Sequence, residues 1–176
     1  LGWAVDAIPT LKNGSSVGIA SPPAILMPDL RIIKPDLRDA ERLQGFSVNW
    51  TLPAEDVKRS SFRWSLLGNA VSVPVAKWVG KRLAEPLGYD RGRDRPFPLI
   101  GSLPKAARYD GKHRYQVDIS TDPLGLRRRH LHKFLRFPGV PLSLRATQGF
   151  YSRTQRASLQ FKGGFIESVR RHLRAI

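Results

Sequence analysis

Arg63-Trp64-Ser65-Leu66-Leu67-Gly68-Asn69-Ala70-Val71-Ser72-Val73-Pro74-Val75-Ala76 is the stretch whose reading decides how this chain folds. Ser72 followed by Pro74 marks a helix start, because proline suits the first turn, where an N–H has no partner to lose. Val75, Ala76, Val79, Gly80 and Leu83 then line one face as far as Ala84, and Pro86 and Gly88 stop the helix. Gly68 is read as a tight turn ahead of that helix, since glycine tolerates backbone angles that other residues avoid. Amides exposed at a helix start, with the Asn69 side chain beside them, can bind a carboxylate. The same residues also suit a plain capped core helix.

Working outward, Pro35-Asp36-Leu37-Arg38-Asp39-Ala40-Glu41-Arg42-Leu43-Gln44-Gly45-Phe46 predicts a second helix. Asp36 is its N-cap, Leu37, Ala40 and Leu43 line its apolar face, and Gly45 ends it. Arg38 and Arg42 share a face with Asp39 nearby, an arrangement that also fits a solvated charged helix. A short helix is expected after Pro53, with Glu55 and Asp56 in its first turn. Ala24 to Met27 and Arg31 to Ile33 flank Pro28-Asp29 as a hairpin, within loops and short strands over 1–35. The Arg-, Pro- and Gly-rich run from Tyr89 to Pro98 reads as a linker. Tyr115, Val117 and Ile119 alternate as a half-buried strand after the turn Asp110-Gly111. Phe161, Phe165, Val169 and Leu173 recur every four residues, a C-terminal helix with Arg170, Arg171 and Arg174 on its polar side.

Composition narrows the partners. The 176 residues are 41% hydrophobic, enough to build a core. Thirty Lys and Arg against 14 Asp and Glu leave a net charge of +16, which points to a polyanion: nucleic acid first, an anionic membrane surface second. The charge is uneven. Residues 1–88 carry a net +3 and residues 89–176 a net +13. Cysteine is absent, which excludes a disulfide framework, a Cys-based zinc site and a thiol nucleophile in this chain. No apolar run reaches the ~20 residues that cross a bilayer, and no signal-peptide pattern opens the chain. The first residue is Leu1, which suggests a piece of a longer polypeptide.

His130 and His132 lie among Arg127, Arg128, Arg129, Lys133 and Arg136. Two histidines two residues apart ligate a metal only on an extended segment with ligands from elsewhere, and five nearby cations repel a dication. A basic segment facing phosphate is the expectation, not a metal site. Phe134, Phe137, Phe150 and Tyr151 are interleaved there and can stack on bases, although Phe134 beside Leu131 and Leu135 reads as core.

In their order and spacing, the two quoted stretches resemble motifs IX and X of the DNA (cytosine-5) methyltransferases, and Pro9-Thr10-Leu11 resembles the threonine-leucine step of that family's target-recognition domain. The resemblance covers residues 9 to 84. Ser47 stands where the family usually has proline, and Leu66 where many members have glutamine. The fold it implies is α/β: the C-terminal portion of a Rossmann-like S-adenosylmethionine-dependent domain, with the end of a small recognition domain and an α+β basic extension. The expected boundaries are 1–35 for the recognition domain, 36–86 for the two motifs, 87–98 for the linker and 99–176 for the extension.

The resemblance implies that Asn69, with backbone from Ala70 and Val71, contacts the carboxylate of S-adenosylmethionine. It implies that Arg38 and Arg42 anchor the recognition domain to the catalytic domain. Thr10, Leu11, Arg127, Arg128 and Arg129 are the expected DNA contacts. The family's nucleophile is a cysteine in a Pro-Cys segment that attacks carbon 6 of a flipped cytosine. This chain has none. It is expected to be inactive alone and to work with duplex DNA and an N-terminal catalytic portion or subunit that carries that motif, in a bacterial or phage cytoplasm, with no membrane partner. A restriction-modification role is implied as well. A non-catalytic DNA-docking or regulatory partner, and a basic nucleic-acid-binding protein with a chance Gly-Asn-Ala-Val helix, are the alternatives.

Overall fold

A computed structural model describes residues 5–11, 22–120, 125, 129–156, 158, 161 and 163–176. The elements run β1 (Ile25–Leu26), β2 (Ile32–Lys34), α1 (Leu37–Gln44), a 3-10 turn (Leu52–Asp56), α2 (Phe62–Asn69), α3 (Val73–Ala84), a second 3-10 turn (Arg91–Arg93), β3 (Asp94–Pro96), β4 (Ala107–Tyr109), β5 (Arg114–Val117), α4 (Leu131–Phe134), β6 (Val140–Pro141), α5 (Leu144–Arg156) and α6 (Phe165–Ala175). Helices and strands are mixed. Every strand pairing among the described residues is antiparallel.

Two compact units are distinguishable: residues 1–75 with 129–176, and residues 76–128. This division differs from the expected one. Residues 129–176 belong with the N-terminal elements and not with 99–128. The physical reason is strand pairing and burial that no local pattern announces. β6 joins β2 with Ile33 opposite Pro141, and the Leu142 amide donates to the Ile32 carbonyl at 2.9 Å. Ile32 is buried with Phe165 and Val169 of α6, and Ile25 and Ile33 are buried with Leu131. Phe150 of α5 meets Phe165 edge-on at 5.8 Å. The buried His172 ring sits 2.9 Å from the Leu142 carbonyl.

The locally encoded elements form where the residues predict them. The β1–β2 turn closes with the Met27 amide on the Arg31 carbonyl and the Asp29 carboxylate accepting from the Arg31 amide. Asp36 caps α1 by accepting from the Arg38 amide at 2.8 Å. Gly45 ends α1 at φ +85°, and a Cβ there would lie 2.6 Å from Pro74 Cδ. That glycine is therefore required twice, for its backbone angle and for the close approach of the segment entering α3.

Other expectations shift. Gly68 is not a turn: it lies in the last turn of α2, and the break comes after it, where Ala70 is extended. Tyr89 to Pro98 holds strand β3 as well as loop, because Asp94 to Pro96 gain backbone partners from Val117 to Tyr115. α6 begins at Phe165, one residue after Gly164 at φ +79°, so Phe161 stacks on Phe165 from outside the helix. In the 76–128 unit the sheet order is β3-β5-β4. Its covered face is held by an ion pair and aromatic rings: Arg108 binds Asp94 at 2.6 Å and lies over Tyr115 and Tyr89.

Candidate functional site

The two quoted stretches fold against each other. Ala40 of α1 is buried with Trp64 and Leu67 of α2 and with Leu11. The Gln44 side-chain amide donates to the Leu67 carbonyl at 3.0 Å, next to Gly68 and Asn69. Gly45 receives Val73 and Pro74. The link Asn69-Ala70-Val71 thus hangs between two helices whose ends are both fixed by α1.

Beneath it lies a buried charge cluster that the sequence did not single out. Glu41 is fully buried and accepts from the Asn49 amide at 2.6 Å, the Thr51 amide at 2.8 Å, the Thr51 hydroxyl at 2.6 Å and Arg63 at 3.0 Å. Arg63, also buried, reaches Glu55 at 2.7 Å and the Thr51 hydroxyl at 2.9 Å. Burial pushes the Glu41 carboxyl up, but the Thr51, Arg63 and Asn49 hydrogen bonds outweigh it and hold it below its ordinary value. For Arg63, burial lowers the pKa, and its two carboxylate partners more than restore it. Nothing local in the sequence marks Glu41 for burial, since on α1 it reads as one more solvated charge.

The cluster shapes the loop from Ser47 to Thr51. Asn49 takes φ +65°, and Trp50 stacks on Phe46 at 5.8 Å. These rings, with Pro53, Ala54, Leu66 and Ala70, wall a mostly apolar cleft of about 290 Å³ that adjoins the Asn69 link.

Asn69 is exposed at the end of α2. The Ala70 amide already donates to the Leu66 carbonyl at 3.0 Å, which among the described residues leaves the Val71 amide as the open backbone donor of the link. Beyond it, α3 has no buried residue, and Val75, Val79 and Leu83 of its apolar stripe are 48%, 41% and 78% exposed. The stripe is where the periodicity puts it, and among the described residues it stays exposed.

Arg38 and Arg42 hold the end of α4 and the segment that follows it. The Arg38 guanidinium lies 3.9 Å over the Phe137 ring while binding Asp36. That bond holds the Asp36 carboxyl below its ordinary range. Arg42 lies 4.4 Å over Phe134, donates to the Phe134 carbonyl at 2.9 Å and binds Asp39. Asp39 is fully buried and accepts from the Arg136 and Phe137 amides. Phe134 and Phe137 therefore serve packing rather than base stacking.

Thr10 is exposed, whereas Leu11 is 6% exposed and packs in the α1–α2 core, so Leu11 positions the loop and does not present itself to DNA. Arg129 is exposed; Arg127 and Arg128 lie outside the described residues. His130 binds Asp6 at 2.7 Å and stacks on His132. Among the described residues no three His, Asp or Glu side chains gather as a metal ion requires. None of the described helices is long and apolar enough to cross a membrane.

No protein-family model and no solved structure matches the chain. The chain is 40% identical over 177 residues to the Type II methyltransferase M2.BsuMI of Bacillus subtilis (strain 168), an alignment that takes in 97% of this chain and spans 45% of that protein's length. A basic chain with two interlocked motif helices and an open Asn69 link is thus similar along nearly its whole length to part of a methyltransferase.

Proposed function

We propose that this chain is the C-terminal part, or the smaller subunit, of a DNA (cytosine-5) methyltransferase, which moves a methyl group from S-adenosylmethionine to carbon 5 of cytosine in duplex DNA. The observation that carries this reading is the pairing of an open Asn69 link with a bare apolar helix. α2 and the first residues of α3 pack against α1, yet Asn69, the Val71 amide and the stripe Val75, Val79 and Leu83 all remain available. Burying such a stripe is worth about 1.5–3 kcal/mol per side chain, so a helix left this exposed awaits a partner. The occupant is the catalytic portion that carries the Pro-Cys motif. More than half of the length of the similar methyltransferase lies outside the region this chain matches, which is room for such a domain.

The donors suit the cofactor's carboxylate. The Asn69 side-chain amide and the Val71 N–H adjoin the start of a twelve-residue helix, where peptide dipoles favour an anion. When bound, S-adenosylmethionine supplies the methyl group. The residues of this chain hold and orient it and exclude water by seating α3 on the catalytic domain; the nucleophile comes from elsewhere. A restriction-modification setting in a bacterial or phage-infected cytoplasm accompanies the reading.

The test is reconstitution. The purified chain alone transfers no labelled methyl group to duplex DNA, and adding the cysteine-bearing portion encoded beside it restores transfer. Methylation by the chain alone overturns the reading, and so does failure of the two parts to associate.

A further inference from the structure

The 76–128 unit holds a surface that the site above does not use. Strand pleating divides its side chains cleanly. Directly opposed residues share a face, so Asp94 and Pro96 lie with Tyr115, Val117 and Arg108, and all of these but Pro96 are half-buried; this is the covered face. Arg95, Gln116 and Ala107 lie with Arg114 and Tyr109 on the other. Asp94, the only carboxylate on the described strands of this unit, is thereby drawn to the covered side and neutralised by Arg108. The open face keeps two arginines, a tyrosine and an amide, with no acid among its strand residues. Arg95 is held by the Gly92 and Asp94 carbonyls, not by a carboxylate. Arg95 and Arg114 are diagonal neighbours across β3 and β5, about 7–8 Å apart by sheet geometry.

The loop joining β3 to β4 adds a second, independent feature. Leu99, Ile100 and Leu103 are 95%, 93% and 84% exposed, between Pro98 and Pro104, with Gly101 at φ +103°. Three aliphatic side chains held in water by a proline-bracketed loop, beside Lys105, form a wedge and not a core fragment. Apolar wedges flanked by cations are how proteins enter the minor groove and part a base step.

We propose that the open face of β3-β5-β4, with its apolar loop, is a second duplex-DNA-binding surface: Arg95 and Arg114 take backbone phosphates, and Leu99, Ile100 and Leu103 wedge into the minor groove and bend the duplex. It rests on the reading that duplex DNA is the substrate. Hydrogen-bonding groups beside the two arginines, Gln116 opposite Arg95 and Tyr109 opposite Arg114, favour a nucleic acid over a lipid surface, whose headgroups ask only for charge beside the apolar tip.

The test uses the reconstituted two-part enzyme. Arg95→Gln with Arg114→Gln should flatten the log–log dependence of duplex affinity on salt by about 1.8, at about 0.9 per phosphate. Leu99→Ser with Ile100→Ser and Leu103→Ser should leave that slope unchanged, lower duplex affinity about tenfold, and abolish the bend read by end-to-end fluorescence transfer. All five positions lie outside the covered face, and circular dichroism checks that the fold is kept. If the wild type methylates DNA and both variants match it in slope and bending, this surface is refuted while the functional reading stands. If the serine variant instead loses only binding to vesicles of phosphatidylglycerol and phosphatidylcholine, the partner is a membrane and the proposal falls. A wild type that neither binds nor methylates duplex DNA removes the reading and this inference together.

Discussion

Glu41→Gln tests whether the buried cluster beneath the Asn69 link holds this region together. The substitution keeps the shape and removes the charge. Arg63 then retains Glu55 at 2.7 Å but loses the Glu41 charge at 3.0 Å, and the new NH2 group faces either the Asn49 amide on one side or the Thr51 amide on the other, donor against donor. Removing one partner of a buried ion pair costs about 3–5 kcal/mol. Because Glu55 remains, the lower end applies, about 3 kcal/mol, a large share of a domain's total of roughly 5–15 kcal/mol. Urea unfolding followed by Trp fluorescence reads the loss, since Trp50 and Trp64 flank the cluster. The acid dependence supplies an internal check. The folded Glu41 carboxyl sits below its unfolded value. Its contribution is therefore complete above the unfolded pKa and disappears as pH falls through the folded one. Glutamine does not titrate, so wild type and variant should converge in stability on acidification. A loss below about 1 kcal/mol at neutral pH, or a gap that persists unchanged in acid, would refute the reasoning.

Further outcomes follow from the same geometry. In the reconstituted enzyme Asn69→Ala should weaken S-adenosylmethionine binding ten- to a hundredfold, as expected from about 1.5–3 kcal/mol for a hydrogen bond to a charged group; an unchanged dissociation constant by calorimetry reduces Asn69 to a helix end. Val75→Ser, Val79→Ser and Leu83→Ser together should leave the isolated chain's unfolding within about 0.5 kcal/mol per site, because all three are already exposed. The same triple variant should not assemble with the catalytic portion in size-exclusion chromatography, and normal assembly would show that α3 docks nothing. Neutralising Arg127, Arg128 and Arg129 should flatten the salt dependence of DNA binding by up to about 2.7 with the target sequence unchanged; a slope equal to wild type's makes those arginines structural.

What could be read directly from the chain was local in its chemistry. Asp36 caps α1 because a carboxylate two residues before an amide reaches it, and Gly45 ends α1 because that turn needs a positive φ. The turns at Pro28-Asp29 and Asp110-Gly111, and the start of α3 at Ser72 to Pro74, rest on the same short-range preferences. The helices α1 and α3 were legible for the same reason, whereas Asn69 was singled out by the family resemblance. Tertiary structure decided what those elements meet. Asp39 and Glu41 look like ordinary solvated charges on α1, and they are buried because amides from Arg136 and Phe137, and from Asn49 and Thr51, arrive to satisfy them. Arg38 and Arg42 find Phe137 and Phe134 nearly a hundred residues away. Tyr89 to Pro98 reads as a linker until Val117 and its neighbours offer backbone partners. Periodicity announced the apolar stripe of α3, but a stripe says only that something must cover it. Pairing between distant segments depends on which surfaces complement one another in three dimensions, and short-range propensity carries no record of that.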